Sequence, residues 1–218
     1  EMLPAVRALW QGDYAHDGEF WQFPTSTSVP KPVQAEMPVW VAARSPITYD
    51  YAVRNRCHIN CWPLTRPFAE AELYKRQLDE AIAKADNGWS PRFALMRHAC
   101  IYDNATDRQQ ALDAIRPLLS QFENLFRNAG DVVNGFAAAL PLDQIAGREQ
   151  YDPEMLEENL MFGSPETAIG KLKRYEGLGV YEFIYYASLG LDHDAQKRSL
   201  KMFCTDANPE FRCWSRHR

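Results

Sequence analysis

One stretch narrows the possible fold more than any other: Met37-Pro38-Val39-Trp40-Val41-Ala42-Ala43-Arg44-Ser45-Pro46-Ile47-Thr48. The unbroken apolar run from Val39 to Ala43 reads as a short parallel strand covered on both faces. Ser45 then suits a helix N-cap, Pro46 the favoured first helical position, and Thr48 the first turn. The first N–H groups of such a helix have no intrahelical partner, and its dipole places partial positive charge there. The Ser45 and Thr48 hydroxyls beside those amides, with Arg44 adjacent, would make a seat for a phosphate. A plain capped turn is the commoner use of such residues.

The strand-then-helix unit recurs. Leu3, Val6, Leu9 and Trp10 fall at helical spacing, and that first helix stops near Gly12. Residues 13–37 form an irregular excursion or short hairpin, with aromatics (Tyr14, Phe20, Trp21, Phe23) followed by Pro30 and Pro32. Those rings either line a ligand pocket or pack the excursion down. After the strand at Val39 a helix runs to about Asn55. Cys57–Trp62 is a second strand, and a long helix from Phe68 to Ala85 is dense in good helix formers. A third strand spans Phe93–Tyr102, followed by a capped helix from Asp107 to about Arg127. Residues 129–162 read as an insert and a possible lid, with a short helix opening at Pro153. Ser164-Pro165-Glu166 starts another helix, Val180–Tyr186 is the fourth strand, and a last helix spans about Ala195–Phe203. The tail from Cys213 to Arg218 is expected to be loose.

Four strand–helix units with apolar strands imply a parallel sheet, and four are half of an eight-fold barrel. An open doubly wound sheet is the rival, but no Gly-x-Gly-x-x-Gly turn follows any strand. With 218 residues, 46% of them hydrophobic, the chain can bury one sizeable core. A net charge of −5 without a basic block argues against nucleic acid as a partner, and no apolar run reaches membrane-spanning length. The chain opens Glu1-Met2-Leu3-Pro4, already amphipathic and unlike a signal peptide, so it is expected to be a single domain over 1–218 that lacks an N-terminal portion. Five cysteines, an odd number, fit reduced thiols and a cytoplasmic location. Cys57 and Cys61 lie four apart with no second pair at ligand spacing, so they read as buried thiols and no metal is expected.

An ordered set of short pieces resembles the bacterial luciferase-like flavin-dependent monooxygenases. They are Gly18-Glu19-Phe20-Trp21, Pro30-Lys31-Pro32-Val33-Gln34, the run from Pro38 to Ala43, Phe162-Gly163-Ser164-Pro165-Glu166, Gly179-Val180-Tyr181-Glu182-Phe183, and Arg198–Phe203 followed by Pro209-Glu210-Phe211-Arg212. Each is weak alone, but together they cover nearly the whole chain. The resemblance implies an α/β fold: the C-terminal half, strands five to eight, of a TIM (β/α)8 barrel. It implies reduced FMN supplied by a reductase, and O2, used to oxidise a small organic substrate. A deazaflavin-dependent dehydrogenase and a non-catalytic flavin-binding or pairing subunit are the alternatives. In that family the serine and threonine after the fifth strand hold the flavin phosphate, and they fall here on Ser45 and Thr48. Arg44 sits at a neighbouring flavin contact, although the residue type differs, and Trp62 falls near a flavin-facing tryptophan. The first half of the barrel is absent. The fragment is therefore expected to be inactive alone, with apolar edges that favour a homo- or heterodimer.

Catalytic residues are harder to read. His98, Arg97, Tyr185 and Tyr186 are polar residues near strand ends, and His98 is the candidate proton handler. Each serves as readily as a packing residue. No spacing supports a nucleophilic triad.

Overall fold

The computed structural model describes residues 1–211; the tail from Cys213, with Arg212, lies outside them. The chain divides into two compact parts, residues 1–39 and residues from Trp40 onward. In the first part, helix α1 (Met2–Gln11) is followed by the antiparallel hairpin of β1 (Tyr14–Asp17) and β2 (Gln22–Ser26). The Glu1 carboxylate accepts the backbone N–H groups of Glu19, Phe20 and Trp21 at 2.8, 3.0 and 3.2 Å, which ties the hairpin turn to the start of α1. Tyr14, His16 and Phe23 pack ring against ring on this hairpin, whereas Phe20 and Trp21 are exposed.

The second part opens with β3 (Trp40–Ala42), α2 (Pro46–Arg54), β4 (His58–Cys61), α3 (Phe68–Ala85), β5 (Phe93–Ile101) and α4 (Ala105–Arg127). The insert follows, with a small hairpin of β6 (Val132–Val133) and β7 (Phe136–Ala137), the single turn α5 (Leu142–Ile145) and α6 (Pro153–Asn159). The chain closes with β8 (Met161–Gly163), α7 (Pro165–Gly177), β9 (Glu182–Tyr186) and α8 (His193–Met202). Local chemistry explains most helix starts. Asn104, Asp152, Ser164 and Asp192 each accept a first-turn N–H through their side chains, and α2, α6 and α7 begin on proline.

All pairings in the main sheet are parallel. The lateral order is β3-β4-β5-β9, the chain order of the four expected strands, and the last residues of β5 pair with β8. Short β8 was not expected as a strand, nor was the hairpin inside the insert. Ile59, Cys61, Phe93, Leu95 and Arg97 point to one face of the sheet and are fully buried. Helices cover that face: Tyr49 of α2 hydrogen-bonds Cys61 Sγ at 3.2 Å, Arg97 meets Tyr175 of α7, and Tyr185 meets Ser199 of α8 at 2.6 Å. The opposite face carries Asn60, Trp62, Met96, Ile184 and Tyr186, all only half-buried. This sidedness is that of a barrel wall, with helices outside and mixed side chains facing the axis. A second cluster joins α4 to the insert, where Leu140, Ile145 and Tyr151 pack with Ile115 and Leu119. These three residues of the insert anchor it, while its hairpin tip (Val132, Val133, Phe136), Leu142 and residues 146–150 are exposed.

Candidate functional site

The parallel register brings the C-terminal ends of β3, β4, β5 and β9 to one rim. Pairing of Ala42 with Asn60, Cys61 with Leu95 and His98 with Tyr186 puts the Ser45 turn, Trp62, His98 and Tyr186 at that rim. Ser45 and Thr48 stand half-buried at the tip of α2, with Arg44 exposed beside them. Their hydroxyl oxygens lie 3.0 Å apart. The Ser45 side chain makes no cap hydrogen bond; its backbone carbonyl takes the N–H groups of Thr48 and Tyr49 at 3.0 and 3.2 Å. Two hydroxyls therefore remain at a positive helix end, able to turn their protons toward an anion.

Aromatic side chains fill the rest of the rim. The Trp62 ring meets His98, Phe122 and Tyr186 edge-on, with centroids 5.5, 5.3 and 5.6 Å away. His98 is fully buried and stacks on Tyr186 at 4.4 Å. Burial alone pushes the imidazole down to a pKa of about 4, so it is neutral near pH 7. Neither His98 ring nitrogen has a partner, nor do Trp62 Nε1 and Asn60 Oδ1, all buried and on the axial face. Orphaned donors and acceptors in such a place are costly.

Two features were not legible in the sequence. Arg97 lies on the helix-covered face, where Nη1 donates to the carbonyls of Leu64 and Arg66 at 2.9 and 2.8 Å and Nε to Tyr175 Oη at 3.1 Å. It thereby pins the loop after Trp62, in which Leu64 is left-handed at φ 54°. The other feature is a groove of about 900 Å³ between that loop, the second half of α4 and residues 149–159. Phe122 lines it and also touches Trp62, so the groove opens beside the rim. At the other end of the strands, His58 packs between Trp40 and Trp89, and Arg92 pairs with Glu182 at 3.2 Å. Cys57, Cys61 and Cys100 are buried thiols, and no metal-ligand cluster occurs among the described residues. No helix there is long and apolar enough to cross a membrane.

Comparison with known proteins finds relatives in sequence and in fold. A flavin-dependent trigonelline monooxygenase, oxygenase component, from Acinetobacter baylyi is 34% identical over 212 residues, 97% of this chain and 59% of that protein. An F420-dependent glucose-6-phosphate dehydrogenase from Gordonia bronchialis is 28% identical, again across 97% of this chain and 59% of its own length. The chain thus spans about three-fifths of the curated relatives it matches. Among solved structures, monooxygenase RslO1 from Streptomyces bottropensis superposes with a TM-score of 0.67 at 16% identity, covering 96% of this chain and 59% of that one. The oxygenating constituent of 3,6-diketocamphane monooxygenase from Pseudomonas putida, solved with FMN, gives 0.61 at 16% identity, covering 95% and 61%. The family model described as luciferase-like monooxygenase matches residues 1–182. The chain therefore belongs to the luciferase-like monooxygenase family, and its four parallel strands form part of a TIM-type barrel wall.

Proposed function

We propose that this chain is the phosphate-gripping part of a flavin-dependent monooxygenase, the oxygenase of a two-component pair that receives reduced FMN from a reductase. The observation that carries this reading is the Ser45–Thr48 hydroxyl pair at the N-terminus of α2, on the same rim as Trp62. When bound, the reduced flavin would activate O2 for transfer of one oxygen atom to a small organic substrate. The chain's own residues do the rest. Ser45 and Thr48 donate to the phosphate, Arg44 adds positive charge, and Trp62 offers its ring and its free N–H to the flavin edge. The aromatic wall of Trp62, Phe122 and Tyr186 gives the flavin ring an apolar side. His98, sealed beneath Tyr186 and Trp62, handles a proton only when one of those rings swings aside; otherwise it supports them. The exposed hairpin tip of the insert is the part suited to act as a lid.

The 34% relative directs the substrate reading toward N-heteroaromatic compounds such as trigonelline. The F420-dependent relatives, at 28% identity, keep a deazaflavin-dependent dehydrogenase as the second reading. Full turnover is assigned to a longer or paired assembly in the cytoplasm: β3 and β9 each have one unpaired side among the described residues, which a second chain or further strands would cover. Fluorescence titration of the chain with FMN, riboflavin and F420 tests the seat. FMN is expected to bind about tenfold or more tightly than riboflavin, which lacks the phosphate. Equal affinities would remove the reading, and a preference for F420 would favour the second.

A further inference from the structure

We propose that Tyr49 and Cys61 are positioning residues of the phosphate seat: from the helix-covered side of the sheet they hold the Ala43 carbonyl and so set the turn that presents Ser45 and Thr48. This inference rests on the flavin reading above and deepens it. Ala43 follows β3, opens that turn and is 1% exposed. Its N–H continues the parallel ladder, donating to the Asn60 carbonyl at 3.1 Å. Its carbonyl leaves the ladder, and among the described residues no backbone N–H reaches it. A buried carbonyl needs a donor. Two side chains supply one each, the Cys61 thiol at 3.2 Å and the Tyr49 hydroxyl at 3.4 Å. The two donors lie 3.2 Å from each other, and both side chains are fully buried.

Tyr49 grips the turn at both ends. Its own N–H donates to the Ser45 carbonyl at 3.2 Å, while its hydroxyl reaches back to Ala43. The entry and the exit of the turn are therefore fixed by one side chain of α2 and one thiol of β4. Cys61 can serve only while it keeps its proton. Burial pushes the thiol up to about 11, so it is a donor throughout the neutral range. Cys61 does not face the ligand, because strand alternation turns it away from the side that carries Asn60 and Trp62. A phosphate oxygen is held by short, directional hydrogen bonds, so a turn that shifts by about half an ångström loses its grip. Riboflavin, which has no phosphate, does not sense such a shift.

The test is fluorescence titration of the 218-residue chain with FMN and with riboflavin, beside urea unfolding of the same samples. Tyr49→Phe and Cys61→Ala each remove one donor, and each is expected to weaken FMN about threefold. The double variant strips the carbonyl of both and is expected to weaken FMN about tenfold or more. Riboflavin affinity should be unchanged in all three. Alanine and serine are alike in size, so Cys61→Ser isolates the donor, and it should return FMN affinity close to that of the unaltered chain. Tyr49→Phe keeps its ring and carries the test if the alanine variants fail to fold. A loss of stability with an unchanged FMN-to-riboflavin ratio, equal weakening of both flavins, or a Cys61→Ser chain no better than Cys61→Ala overturns the proposal. An unaltered chain that prefers FMN, with variants that keep the preference, loses only these positioning roles. An unaltered chain with no preference for FMN loses the phosphate seat, and this proposal falls with it.

Discussion

The Ser45 hydroxyl bonds to the Thr48 hydroxyl, 3.0 Å away, and not to the backbone of the helix it introduces. Ser164, at the equivalent place before α7, also meets the hydroxyl three residues on, Thr167, at 3.3 Å, but in addition accepts the Thr167 N–H at 3.3 Å and donates to the Glu166 carboxylate at 2.7 Å. Two similar cap-then-proline motifs thus differ in where the side chain is engaged.

That difference separates binding from stability. Ser164→Ala should cost about 1 kcal/mol of unfolding free energy, the usual worth of an N-cap, whereas Ser45→Ala should cost about 0.5 kcal/mol or less. Ser45→Ala/Thr48→Val should instead weaken FMN about tenfold or more and leave riboflavin unchanged. Urea unfolding and flavin titration on the same samples check both halves. A stability loss in Ser45→Ala matching that of Ser164→Ala would show an ordinary cap.

His98 predicts a pH dependence. Its folded pKa, about 4, lies below the ordinary value of 6.5, so on acidification the unfolded chain takes up the proton first. The stability at stake is fully present above 6.5 and is lost as pH falls toward 4, by up to about 3 kcal/mol. His58 is shifted downward too, by burial and then by Arg92, and contributes in the same direction. His98→Phe should flatten most of the slope and cost little at pH 7, because neither ring nitrogen has a partner to lose. Urea midpoints at pH 4.5 and 7 measure this, and an unchanged slope in the variant rules out His98 as its source.

Arg97→Met should destabilise the chain by about 2 kcal/mol, because it removes the fully buried guanidinium's bonds to two part-buried loop carbonyls and to Tyr175. Arg97→Lys, with fewer donors and no planar fork, should recover only part. If the loop is what places Trp62, FMN affinity should fall in both variants at temperatures where they remain folded.

Glu123 holds the insert to α4. Its carboxylate receives Arg148 at 2.7 Å, Tyr151 Oη at 2.7 Å and Gln150 at 3.2 Å, in addition to Arg127. Glu123→Ala should raise amide exchange across residues 148–151 about tenfold while leaving α3 unchanged. Unchanged exchange there would show that Leu140, Ile145 and Tyr151 anchor the insert without help from this charge.

Much of this architecture is legible in the residues. The apolar run before Ser45, the density of helix formers from Phe68 to Ala85 and the cap-proline starts determine local structure, and α2 and α3 lie where those signals put them. Strand β8 escapes sequence reading because three residues, Met161 to Gly163, carry no period; their pairing with the end of β5 is a tertiary event. The insert hairpin escapes for the same reason, being two residues per strand. Ser45 and Thr48 are legible from their place at a helix start just after a strand, and Trp62 enters only through the family resemblance; their role in binding is the proposal made above. Arg97 reads from sequence as a rim residue, yet strand alternation sends it to the opposite face, where three acceptors await it. The groove is invisible because Phe122, Arg66 and Glu149 come from distant segments joined only by packing.

The sides of β3 and β9 left open among the described residues set the form of a polypeptide that would continue the sheet. To extend its parallel pattern, that polypeptide offers a strand alongside each, running in the same direction. A lone helix cannot do so. A second copy can, if a rotation axis runs down the middle of the cylinder so that the β9 of each protomer adjoins the β3 of the other.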